Sequence, residues 1–101
     1  MYYLSMSSKY SKNLASILQM LRNIEEDLNL INYSETEKKI YYTIACKNSD
    51  NYTCRISDVI NESGFSRSTV YKTIKKFEDA NLIKMYQSSV DKREINLVLV
   101  H

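Results

Sequence analysis

The stretch NESGFSRSTVYKTIKKFEDANLI, Asn61 to Ile83, holds the only glycine of a 101-residue chain that has no proline. With backbone breakers this scarce, Gly64 marks a place where the chain needs a conformation other residues resist. A left-handed residue just past a helix costs a side-chain-bearing residue about 1 kcal/mol and glycine almost nothing. Ser57–Ser63, SDVINES, reads as a short helix with Val59 and Ile60 inward, stopped by Gly64. Phe65 follows as an apolar plug and Ser66 as the N-cap of the next helix, Arg67 to Ala80, whose Val70, Ile74 and Phe77 repeat at core spacing. The spacing predicts two helices meeting in a turn too tight for a Cβ, the helix-turn-helix arrangement.

Working outward, Asn81 is expected to take the second left-handed exit, because Asn tolerates that region best among residues with side chains. KMYQ, a polar tip SSVDKR, and EINLVLV then follow. In the last run Ile95, Leu97 and Leu99 alternate with Glu94, Asn96 and Val98, a half-buried strand, so residues of about 84–100 read as a β-hairpin wing. Upstream, SETEKKIYYTIACK starts a helix at the capping box Ser34/Glu37, with Ile40, Tyr41 or Tyr42, and Ile44 inward. The polar KNSDNYTC is a loop leading into a short strand over Tyr52 to Ile56. A first helix, Ser11 to Leu28, carries Leu14, Ile17, Leu18, Leu21, Ile24 and Leu28 in one stripe, and Asn29 to Tyr33 breaks it. The fold class that follows is mainly α with a β-hairpin wing (α+β), a winged helix-turn-helix. It is read as one domain, with an N-terminal helical part at 1–30 and a core at 34–101. No internal repeat stands out.

A chain of this length holds one core. No apolar run is long enough to span a membrane, and the start shows no secretory signal, so the location expected is cytoplasmic. Cys46 and Cys54 lack zinc-site spacing, and the single histidine, His101, gives them no partner, so they read as reduced structural thiols with no metal or cofactor. No phosphate-binding glycine loop or activated nucleophile is present, which argues against an enzyme. The net charge of +2 is unevenly placed. Seven bases stand against three acids between Arg67 and Arg93, whereas Glu25 to Glu37 holds five acids and no base. The basic part is the one that faces a polyanion.

SGFSRSTVYKTIKKFEDANLI and SVDKREINLVL, with Asp91 and Arg93 as an Asp-x-Arg wing tip, resemble the winged-helix DNA-binding domain of MarR/SarA-like regulators. The resemblance covers Leu28 to Val100 and implies a homodimeric transcriptional repressor on double-stranded DNA. That family continues past the wing into helices that build its dimer, whereas this sequence stops at His101, so the expected dimer is made otherwise. In size and truncation the chain is also similar to TubR-like adaptors, which bind centromeric repeats of phage or plasmid DNA and link them to a filament-forming, tubulin-like partner.

On that reading Arg67 and Ser68, at the start of the second helix of the motif, meet base edges. Ser66 and Thr69 donate to phosphate, and Tyr71 stacks on sugar or touches a thymine methyl. Lys72, Lys75 and Lys76 meet phosphates, and Lys92 and Arg93 reach backbone or a narrow minor groove. The plain alternatives stay beside these: exposed lysines are ordinarily solvated, Glu78 and Asp79 are placed to pair with Lys75 or Lys76, and Arg93 with Asp91 or Glu94. The stripe of the first helix is open to two assignments, ordinary core or dimer interface. The acidic stretch is open to two as well, a solvated face or a second interface.

Overall fold

The computed structural model describes residues 2–49 and 53–100, with side chains from Lys9 onward. Tyr52 and His101 therefore lie outside the described residues. The elements are α1 (Tyr2–Asp27), α2 (Glu35–Ser49), β1 (Cys54–Arg55), α3 (Ile56–Ser63), α4 (Arg67–Asp79), β2 (Ile83–Gln87) and β3 (Ile95–Leu99). They fall into two units, residues 1–32 and residues 33–101.

The second unit is a mostly helical winged helix-turn-helix, as the spacing predicts. Its core is Ile40, Tyr41 and Ile44 of α2, Ile56 and Val59 of α3, Val70, Ile74 and Phe77 of α4, and Ile83 and Leu97 of the sheet. Of the two candidate tyrosines, Tyr41 is the inward one. The Phe77 ring takes edge contacts from Tyr33 at 5.2 Å and from Tyr41 at 5.6 Å between centroids, the geometry that aligns ring edges with a ring face. The Tyr41 hydroxyl is buried without a hydrogen-bond partner among the described residues, and desolvation pushes its pKa up. Burial likewise pushes the Cys54 thiol up to about 11, while Cys46 is exposed.

Two inward faces differ from the expected ones. α3 begins at Ile56, so Ile56, Val59 and Ser63 form its buried face and Ile60 is only half-buried. Arg55 precedes the helix and donates its backbone N–H to Asp58 at 3.1 Å, while the Ser57 hydroxyl donates to Glu94 at 3.4 Å. In α4, Thr73 joins the buried face, a polar residue that an apolar count passes over.

The sheet has three antiparallel strands in the order β1-β3-β2, with Ile83 paired to Leu99 and Gln87 to Ile95 across the wing, and Cys54 to Leu97 on the other side. β1 is only two residues long. Past it, the Asn48 carboxamide stands in for a strand: its Nδ2 donates to the Leu97 carbonyl at 3.3 Å and its Oδ1 accepts from the Leu99 N–H at 2.9 Å.

Helix termination explains the scarcity of glycine. The positive-φ residues described are Asn29 (59°), Gly64 (77°) and Asn81 (60°), one after each of α1, α3 and α4. At Asn29 the Leu30 N–H reaches the Glu25 carbonyl and the Asn29 N–H the Glu26 carbonyl; at Asn81 the Leu82 N–H reaches Phe77 and the Asn81 N–H reaches Glu78. Both are Schellman closures with Asn in the left-handed position and Leu after it, built twice from the same tripeptide Asn-Leu-Ile. Gly64 closes α3 with a single bond to the Ile60 carbonyl. A Cβ built at Gly64 meets nothing within 4 Å, so the expectation of a turn too tight for a side chain is corrected: glycine is required there by the sign of φ, not by crowding.

α2 and α4 are joined through one carboxylate. Glu37 Oε1 accepts the Ser34 N–H at 2.8 Å while the Ser34 hydroxyl accepts the Glu37 N–H at 3.1 Å, completing the capping box. Glu37 Oε2 takes the Lys76 ammonium of α4 at 2.8 Å, and the same ammonium lies 5.1 Å from the Tyr33 ring centroid. The Lys76 hydrogen bond, then the Ser34 N–H, holds the Glu37 pKa below its ordinary 4.5. Of the five acids in the 25–37 stretch, Glu26 pairs with Arg22, Glu35 with Lys38 and Glu37 with Lys76.

α1 starts at Tyr2, well before Ser11, because the apolar period begins at Leu14 while nothing upstream interrupts a helix. Its stripe is open to solvent in the single chain, with Leu14, Ile17, Leu18 and Ile24 all at least half exposed.

Three expectations follow. Gly64→Ala destabilises by about 1 kcal/mol in urea unfolding and Gly64→Asn by less, because Asn tolerates the left-handed region and a Cβ there meets nothing within 4 Å. Asn48→Ala leaves a strand N–H and carbonyl unpaired, with an expected loss of about 1–3 kcal/mol. Because the Glu37 pKa is lowered on folding, its contribution is fully present above the unfolded value of 4.5 and is lost as pH falls through the folded one. The stability gap between the native protein and Glu37→Gln should therefore narrow as pH falls below about 4.5. A gap that persists in acid would place the effect elsewhere.

Candidate nucleic-acid interface

α4 buries Val70, Thr73, Ile74 and Phe77, and this phase turns Arg67, Ser68, Tyr71, Lys72 and Lys75 outward. Its start is fixed by Ser66, whose Oγ accepts the Thr69 N–H at 3.3 Å and donates to the Thr69 hydroxyl at 2.9 Å. The one proton of Ser66 is thus used inside the cap, so Ser66 orients the helix and Thr69 keeps a hydroxyl proton to give. Ser68 lies beside them with its Oγ 3.3 Å from that of Ser66. The Arg67 guanidinium sits 5.9 Å from the Tyr71 ring centroid, near enough for the ring to steer it.

The remaining sequence-derived residues separate onto two flanks of α4. On one side Arg67 and Tyr71 share a concavity with Arg93, Asp91 and Glu94 of the wing and Ser57 of α3. On the other, Thr69, Lys72, Lys75 and Lys76 line a second concavity with Glu37 of α2 and its cap Ser34. The structure therefore brings Arg67, Tyr71 and Arg93 together, and sets Lys76 toward α2.

The cations are not equally available. Lys75 pairs with Glu78 at 3.3 Å and Asp79 at 3.7 Å, and these carboxylates, Glu78 first, hold its pKa above the ordinary lysine value. Lys76 is committed to Glu37. Arg93 pairs with Asp91 at 3.3 Å but is 92% exposed, where such a pair is weak and readily exchanged. Arg67, Lys72 and Lys92 form no ion pair among the described residues.

The wing tip is ordered without glycine or proline. The Ser88 hydroxyl accepts the N–H groups of Val90 and Asp91, the Ser88 N–H donates to the Glu94 carbonyl, and the Gln87 amide donates to the Lys92 carbonyl at 2.7 Å. Asp91 Oδ1 accepts from both the backbone N–H and the Nε of Arg93. This presents Lys92 and Arg93 outward together with Val90, an apolar side chain 94% exposed. Sequence reasoning missed Gln87 and Ser88 as the builders of this tip; a Ser-Ser-x-Asp run is the signal that points to such a turn.

Among the described residues no group of His, Cys, Asp and Glu could hold a metal ion, and no helix is long and apolar enough to cross a membrane.

A comparison with curated protein sequences found no match. Among solved structures, the heme sensor PefR of Streptococcus agalactiae is similar at 17% identity and a TM-score of 0.61, covering 93% of this chain and 63% of its own. S. aureus MepR in complex with DNA is similar at 19% identity and TM-score 0.59, with 90% of this chain and 69% of that chain covered. AbsC, a MarR family transcriptional regulator from Streptomyces coelicolor, is similar at 22% identity and TM-score 0.59, with 92% and 62% covered. The chain thus spans somewhat under two thirds of the length of PefR and AbsC, and shares with all three the winged-helix fold its sequence resembles. A family model described as Firmicute plasmid replication protein (RepL) matches residues 8–99, from within α1 to the last residue of β3. Because that match takes in nearly every element, the chain belongs to the RepL family of Firmicute plasmid replication proteins.

Proposed function

We propose that this chain binds double-stranded DNA through α4 and the wing, and that it does so in the replication of a plasmid. The observation that carries the reading is the joint placement of Arg67 and Tyr71 of α4 with Arg93 of the wing, on a helix whose other flank presents Lys72. A helix held in a major groove and a basic hairpin beside it touch one duplex at two places. The family match supplies the plasmid setting, and MepR, which shares the fold, is seen with DNA. Such a protein works in the cytoplasm, as a binding protein without catalysis.

In this reading Arg67 and Ser68 meet base edges, Tyr71 packs on sugar or a thymine methyl, and Thr69, Lys72 and Lys92 meet phosphates. Arg93 enters the backbone or minor groove after releasing Asp91. Ser66 acts by capping, and Lys75 and Lys76 contribute less because a phosphate must displace their carboxylates. A second reading, a repressor at a single operator, draws on the fold shared with AbsC. The family match and the compared structures lend no support to a filament-forming partner.

Footprinting on DNA flanking the plasmid's own replication gene, at physiological salt, tests the reading. Protection of an iterated array is expected for an origin-binding protein, and one short palindrome for an operator-bound repressor; no protection at any site sinks both. Lys72→Met should weaken cognate and random duplexes alike and reduce the log–log salt slope by about 1, whereas Arg67→Ala should lose mainly the preference for cognate DNA. Equal losses on both duplexes for Arg67→Ala would remove it from base reading.

A further inference from the structure

The apolar pattern of α1 is stricter than an amphipathic stripe. From Tyr10, apolar residues follow at Leu14, Ile17, Leu21, Ile24 and Leu28, alternating steps of four and three, which is the a and d spacing of a coiled coil. Tyr10, Leu14, Ile17 and Ile24 are 50–64% exposed, Leu21 and Leu28 are half-buried, and the seam contains no charge, glycine or proline. A long helix in water owes most of its stability to covering such a face, so the seam calls for a partner helix.

Two further exposed apolar residues identify the partner and its direction. Leu18 (53%) and Met20 (64%) lie off the seam at its flanking e and g positions, one on each side of Gln19. We propose that two copies of this chain associate through α1 as an antiparallel helix pair with its twofold axis at Gln19. In that pair Tyr10 faces Leu28, Leu14 faces Ile24 and Ile17 faces Leu21 of the second copy, so every seam residue meets an apolar one. Leu18 then meets its own symmetry mate on one side of the seam and Met20 its own on the other. A parallel pair would instead set Leu18 beside Asn13 and Met20 beside Glu25, apolar against polar.

Charge selects the same direction. Lys9 and Lys12 stand near one end of the seam and Glu26 and Asp27 near the other, all exposed. Antiparallel copies bring the basic end of each against the acidic end of its mate, whereas parallel copies stack like charges within a Debye length. The pattern is therefore self-complementary about one residue, which fits a second copy of the same chain better than an unrelated helix.

The association uses no residue assigned above to DNA, and its test contains no DNA, so it stands or falls apart from the DNA reading. Sedimentation equilibrium of the full chain should give twice 11.9 kDa. Ile17→Asp should weaken dimerisation by about 100-fold or more, since it buries a charge in the seam, while leaving the urea transition of the residue 33–101 unit in place. For direction, a tagged Leu14→Cys chain and an untagged Ile24→Cys chain, both carrying Cys46→Ser, are mixed and oxidised. The antiparallel pair yields the mixed-size disulfide. A monomer at all concentrations, a dimer indifferent to Ile17→Asp, or disulfides only between chains of equal size would each overturn the proposal.

Discussion

Between Ser63 and Arg67 one helix must stop and the next start, and the left-handed backbone of Gly64 is what allows it within three residues. The constraint is conformational: space for a side chain exists, but the φ of 77° is one that L residues enter at a cost. Everything in α4 inherits its phase from that point. Ser66 takes the N–H of Thr69 in the first turn of the helix, Val70, Ile74 and Phe77 then fall on the core, and Arg67, Tyr71 and Lys72 are left outward. A one-residue change in where α4 begins would rotate its exposed face by about 100° and take Arg67 away from the wing.

A second constraint holds α4 against α2. Glu37 serves two tasks with its two oxygens, closing the α2 capping box and receiving Lys76. Because the carboxylate is already oriented by Ser34, forming the ion pair orders one side chain, that of Lys76, instead of two, which separates it from ordinary surface pairs. Tyr33 completes the arrangement, with the ammonium over its ring and a T-shaped contact to Phe77. A lysine that by spacing alone belongs to the basic face is in this way a structural element.

How far the sequence is legible depends on the range of the interaction. The capping box at Ser34/Glu37, the Ser66 cap and the left-handed Asn81 rest on contacts within about five residues, and the wing and the α4 core on apolar periods that run along single elements; each is where its local pattern places it. What could not be read is set by pairs far apart in the chain. Glu37 and Lys76 are 39 residues apart, and Asn48 meets Leu97 and Leu99 across 49 and 51. The β1 strand is a case between: two residues carry little periodicity, and it exists because β3 offers an edge to pair with. The open choice for the α1 stripe is narrowed by exposure, which no periodicity reports.

The distribution of paired and unpaired cations has a consequence for how the proposed interface would work. A chain of net charge +2 cannot attract a polyanion strongly as a whole, so the local field near α4 matters more. There Lys75 and Lys76 are paired with carboxylates of their own unit and Arg93, more loosely, with Asp91, whereas Arg67, Lys72 and Lys92 form no ion pair among the described residues. Each phosphate met by a paired cation returns a carboxylate to solvent, so the gain is the difference between two ion pairs rather than a whole one. Binding at many phosphates is weakened accordingly, while a contact that reads a base edge keeps its full value. Damping the uniform electrostatic term in this way raises the share of affinity that depends on sequence, and a protein that must find one region among much competing DNA needs that balance.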